Sequence, residues 1–109
     1  MEVVWESLRL LRRVEEATEI ARDMIGKVQL NEMEYIKVRA FTIDKLEKVA
    51  QIRSMYSNDP EMMNRKLAEA ENDYNYKLQA ALTPKQFASY VTYTNNLKAA
   101  ATAAADIKE

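Results

Sequence analysis

Apolar residues recur at alternating steps of three and four along almost the whole chain, and only one glycine and two prolines stand in their way. That spacing returns a side chain to the same face of an α-helix on every turn, so it selects amphipathic helix over strand, whose alternation has a period of two. Four such seams are legible. The first runs Val3, Leu10, Val14, Ala17, Ala21, Met24 and Val28, with Ser7 filling one place and Gly26 a mild weak point near the end. The second is Tyr35, Val38, Thr42, Leu46, Val49, Ile52 and Tyr56, with Phe41 beside it. The third is Met63, Leu67, Ala70, Tyr74, Leu78 and Ala81, and the fourth Phe87, Tyr90, Thr94, Leu97, Ala101 and Ala104. The links near Leu30, Asn58 and Thr83 are each a few residues, and short links favour antiparallel neighbours. The expected fold is therefore all-α, four amphipathic helices in antiparallel hairpins forming an elongated helical bundle.

The chain of 109 residues fits a single helical domain with a thin core. Residues 100–109 have high helix propensity but little to bury, and form a tail expected to fray.

Two corners carry the most specific local chemistry. In "LTPKQ", Thr83 can accept from the backbone of Gln86 while the Gln86 side chain reaches back to the Thr83 N–H, and Pro84 occupies the first helical position, where its missing donor is not needed. Leu82 precedes the cap and can staple against Phe87. "LNEME" repeats the design, with Leu30 at the staple position, Asn31 as N-cap and Glu34 closing the box. Asp59 and Pro60 supply a third, simpler helix start.

Other chemistry is excluded by what is missing. The chain has no histidine and no cysteine, which removes the usual general base at neutral pH, the thiolate nucleophile, disulfides, and the imidazole and thiolate ligands of zinc and copper sites. Carboxylates one turn apart, Glu15 with Glu19 and Glu69 with Asp73, read as solvated helix faces. The single Gly26 cannot build a phosphate loop. The reading is a non-enzyme with no metal and no cofactor. Sixteen basic against seventeen acidic residues leave no clustered positive footprint for nucleic acid, and no apolar run approaches the ~20 residues of a membrane span. The N-terminus is too charged for a signal peptide, so none is expected within this chain.

The largest unexplained apolar excess lies at the N-terminus. Trp5, Leu8 and Leu11, at steps of three beside Val4, form a second stripe next to the first seam. Trp5 is an anchor of the kind enriched at binding hot spots, and the stripe is a candidate contact with a partner or a second copy. Methionines add a further candidate surface, with Met24 and Met63 on the seams and Met33, Met55 and Met62 unassigned.

Two cap-box corners in one small helical chain resemble the Spy/CpxP-like family of periplasmic proteins, whose members carry two Leu-Thr-x-x-Gln motifs at helix starts. Leu82, Thr83 and Gln86 match in full; the earlier copy matches at Leu30, with Asn31 for Thr and Glu34 for Gln. The resemblance covers roughly residues 17 to 93, from a first helix through "YIKV" and "NDPEMM" to "LQAALTPKQFASY", and leaves residues 1–16 outside it. It implies long bent helical hairpins, export to the periplasm, and a stress-type role as an ATP-independent chaperone or regulator that binds unfolded clients or a partner protein. Chaperones of that type dimerise into a cradle, and a homodimer is expected here because long thin helices leave much seam uncovered. The alternative is a helical interaction or scaffold domain with no chaperone activity.

Overall fold

The computed structural model describes the backbone of residues 2–107 and the side chains of residues 7–101. It is all-α. Helix α1 (Glu2–Met24) runs into one π-helical turn (Ile25–Gln29), followed by α2 (Glu32–Met55), α3 (Pro60–Ala81) and α4 (Pro84–Ile107). The three corners fall where the sequence placed them.

The starts of α2, α3 and α4 each have a side-chain acceptor at the cap. Asn31 and Glu34 close a reciprocal box at the start of α2. Asp59 Oδ1 accepts the Met62 N–H at 3.1 Å, with Pro60 in the first turn of α3. Thr83 and Gln86 close the second box, ahead of α4.

The end of the first helix is less ordinary. Leu30 N–H reaches back five residues to the Ile25 carbonyl at 3.3 Å, and Gln29 has φ of 61°. A six-to-one bond closed by a left-handed residue is the way a Schellman motif stops a helix, and glycine normally fills that place because other residues meet a steric cost of roughly 1–2 kcal/mol there. The chain's one glycine lies three residues earlier, at Gly26, where a Cβ would touch nothing within 4 Å.

Side-chain pairs fix the topology. Lys48 meets Asp73 and Lys77 meets Asp44, so α2 and α3 run in opposite directions. Arg39 Nε donates to Thr18 Oγ1 at 2.9 Å between α2 and α1. Helix α2 thus lies between two neighbours, and every residue from 41 to 50 is at least partly covered. Helix α4 turns back at Leu82, touches α3 through Tyr90 and Asn75 at 2.9 Å, and then crosses the π-turn and the end of α1, where Tyr93 meets Asp23 at 2.7 Å.

The core gathers at the end of the bundle that holds the Leu30 and Leu82 corners. Ala21, Met24, Val28, Leu30, Val38, Tyr74, Leu78, Leu82 and Tyr90 form one buried cluster, with Ile20, Tyr35, Phe41, Phe87 and Tyr93 packed against it. Among the described residues the one buried polar residue, Thr42, donates its hydroxyl proton to the Val38 carbonyl at 2.7 Å and is hydrogen-bonded to the Tyr74 hydroxyl at 2.8 Å. Among the described residues no buried polar side-chain atom lacks a partner.

The seams are buried only over part of their length. Ala17, Ala21, Met24 and Val28 are covered, but Leu10 of the same seam is 44% exposed. In the fourth seam Tyr90 is buried while Leu97 is 52% exposed. Both helices extend beyond the cluster they feed, α1 at its N-terminus and α4 at its C-terminus. The radius of gyration of 15.5 Å accordingly exceeds the about 13 Å of a compact chain this long. Met24 is core and Met63 half-buried, whereas Met33 and Met55 face solvent. The expectation of a fraying tail falls mostly on residues outside those whose side chains are described.

Candidate functional site

The two cap boxes, read separately in the sequence, meet in space. Within the first, the Asn31 N–H donates to Glu34 Oε1 at 2.9 Å and the Glu34 N–H to Asn31 Oδ1 at 2.8 Å. Within the second, the Thr83 N–H donates to Gln86 Oε1 at 2.9 Å and the Gln86 N–H to Thr83 Oγ1 at 3.1 Å. The Gln86 amide nitrogen then donates to Glu34 Oε1 at 2.9 Å and to the Gln29 carbonyl at 3.1 Å. One side chain therefore closes its own box and ties it to the other box and to the strained residue that ends the first helix.

The residue types follow from that wiring. Gln86 uses its oxygen as acceptor and both amide hydrogens as donors, a combination that neither glutamate nor threonine offers. Glu34 is needed only as an acceptor, and a carboxylate accepts two hydrogen bonds on one oxygen more strongly than an amide does. Two carboxylates facing each other here would repel; one carboxylate and one amide fit. The Asn31 backbone N–H, followed by the Gln86 amide, holds the Glu34 carboxyl below the usual carboxylate range, and its charge sits in the first turn of α2, where the helix dipole favours an anion.

Beneath this polar junction the staple residues do their packing. Leu30 and Leu82 are both buried, and Tyr35 and Phe87, four residues into each helix from the cap, lie against the same cluster. Phe87 and Tyr90 ring centres lie 5.8 Å apart, and Tyr90 meets Tyr74 edge-on at 6.4 Å. Burial raises the Tyr74 and Tyr90 hydroxyls above their ordinary range. Tyr93 is pushed up to about 12, by burial first and then by the Asp23 carboxylate that accepts its proton.

The N-terminal stripe is far from this junction. Leu8 and Leu11 are 50% and 54% exposed, and Leu10 joins them at the surface. Arg9, Arg12 and Arg13 alternate with these leucines and make no ion pair among the described residues. The Trp5 side chain lies outside the described residues.

The carboxylates read as solvated faces are divided. Asp73 belongs to a closed quartet in which Lys48 and Lys77 each contact both Asp44 and Asp73, at 3.0 to 3.5 Å. Glu69 pairs with Lys66 on its own helix, and Glu15 and Glu19 point to solvent. Among the described residues no three carboxylates converge on one point, and no helix is long and apolar enough to cross a membrane.

Sequence reasoning placed every residue of the two boxes and missed the bonds between them. It also missed Gln29, whose role lies in its backbone, and the pairing of Tyr93 with Asp23, 70 positions apart. Compared with models of protein families, with curated proteins and with solved structures, the chain matches none.

Proposed function

We propose that this chain is a non-enzymatic, protein-binding helical module of the Spy/CpxP type, an ATP-independent chaperone or regulator of the periplasm that works as a homodimer. The observation that carries the reading is the joined pair of cap boxes, Leu30–Asn31–Glu34 with Leu82–Thr83–Gln86, in a single small all-α chain. A paired motif at two helix starts is the feature this chain shares with that family. The direct bond between the copies gives a physical reason for a chain to carry both.

A second feature supports protein binding. A helix whose core seam is buried from Ala17 onward shows solvent three leucines at its other end. Apolar area in water costs about 25 cal/mol per Å², so a partner that covers Leu8 and Leu11 stabilises the assembly. In this reading Trp5, Leu8 and Leu11 form the principal contact, with a second protomer or with an unfolded client.

Aggregation of a chemically denatured client protein, followed by light scattering with and without this chain, tests the activity. Suppression by the wild type, weakened by Leu8→Lys with Leu11→Lys at unchanged helix content, is the expected result. No suppression at equimolar protein removes the chaperone and leaves the interaction domain. Loss of helical signal in the double variant makes those leucines internal core and removes the binding stripe.

A further inference from the structure

A trough separates the end of the first helix from α4. It encloses about 530 Å³, within the range of ~300–1,000 Å³ typical of small-molecule sites. On one wall stand Asp23 and Lys27, on the other one face of α4. The trough exists because that face carries short side chains, Ala88, Ser89 and Thr92, between the longer Lys85 at one end and Leu97 at the other. A second recess of about 270 Å³ opens beneath the same two lysines, toward Gln29 and Thr83.

The charges in it are unbalanced. Lys45, Lys48, Lys66 and Lys77 each meet a carboxylate, but Lys27 and Lys85 meet none among the described residues. The lining holds one carboxylate, Asp23, and one of its oxygens is engaged by the Tyr93 hydroxyl. At the far end the exposed Leu97 side chain also borders a narrower crevice that leads to Ile20, Met24 and Leu46. The two lysines stand at one end, the Ser89 and Thr92 hydroxyls follow along α4, and Leu97, beside Tyr93 and Asn96, stands at the other end, which gives the trough a direction.

We propose that this trough is a binding site for a small amphiphilic anion, a carboxylate with an apolar body, whose charged group lies between Lys27 and Lys85 and whose apolar part lies against Leu97. The Ser89 and Thr92 hydroxyls line the path between the two ends, and the anion balances the excess of two lysines over the single Asp23 carboxylate on the lining. The site is separate from the N-terminal stripe and does not depend on the chain being a chaperone.

Amide chemical shifts recorded during titration with octanoate, with octylammonium as the charge-reversed control and inorganic phosphate as the control that lacks an apolar tail, test it. Octanoate is expected to give saturable shifts confined to residues 23–28 and 85–97, octylammonium none, and phosphate weaker ones limited to the lysine end. Lys27→Glu with Lys85→Glu changes two exposed positions and should weaken octanoate about tenfold or more through loss of the charge-assisted contacts. Equal binding of octanoate and octylammonium overturns the site, as do shifts that map to Leu8 and Leu11 instead. Phosphate shifts matching those of octanoate overturn the apolar half of the proposal. Should the double variant lose its helical signal, the comparison of the three ligands on the wild-type chain decides alone.

Discussion

The bundle is held in two different ways at its two ends. Where the Leu30 and Leu82 corners meet, an apolar cluster is sealed by a junction of short hydrogen bonds. Along the stem, where α2 and α3 run toward the Asp59 corner, these two helices are joined by partly exposed Lys–Asp and Lys–Glu pairs over half-buried side chains. Exposed ion pairs contribute little, because water and salt screen them and ordering two long side chains costs entropy. Buried apolar groups and satisfied caps contribute several kcal/mol together. Stability should therefore be concentrated at the junction end, leaving the stem and the two protruding helix ends free to open or to bind.

The largest effect should come from the core of the junction end. Leu78 is fully buried, and Leu78→Ala is expected to cost about 2–5 kcal/mol through lost burial and a residual cavity, seen as a drop in the urea midpoint. A loss below half of that would mean that the cluster is loosely packed and that the two ends do not differ. Thr83→Ala removes the acceptor for the Gln86 N–H and should cost about 1 kcal/mol, leaving client or partner binding intact. If stability holds while binding is lost, the corner is itself a recognition surface. Lys48→Ala, which breaks two contacts of the stem quartet, should leave the thermal midpoint within experimental error, and 0.5 M salt should change that midpoint by no more than it does for the wild type. A large salt-sensitive loss at Lys48 would erase the contrast between the ends.

The sequence made the helices legible because their apolar spacing is strict and their starts carry side-chain acceptors with proline or a back-reaching Glu or Gln. Thr83, Gln86, Asn31 and Glu34 could be assigned to caps because a cap box is closed within four residues. The joining of the boxes could not be read, since Glu34 and Gln86 are 52 positions apart and no local rule links them. Leu10 and Leu97 show the complementary limit. Their spacing marks them as seam, but whether a seam is covered depends on how far the neighbouring helix extends beside it, and α4 crosses the end of α1 without following its length. The π-turn escaped notice for a related reason, because Gln29 occupies a backbone conformation that glycine usually signals.

The central claim is that the two cap boxes act as one unit through Gln86 and Glu34. A double-mutant cycle with Glu34→Ala and Gln86→Ala, read by urea unfolding at neutral pH, measures the bond between them directly. The predicted coupling is roughly 1 kcal/mol, the size of a net hydrogen bond to a partly exposed charged group. Because folding lowers the Glu34 pKa, the stability it adds is present above the pKa of the unfolded chain and is lost as pH falls through the lower folded value. The coupling should therefore shrink in acid below the ordinary carboxylate range. Costs that simply add at neutral pH, with no coupling to lose in acid, would make these two independent corners and contradict the account.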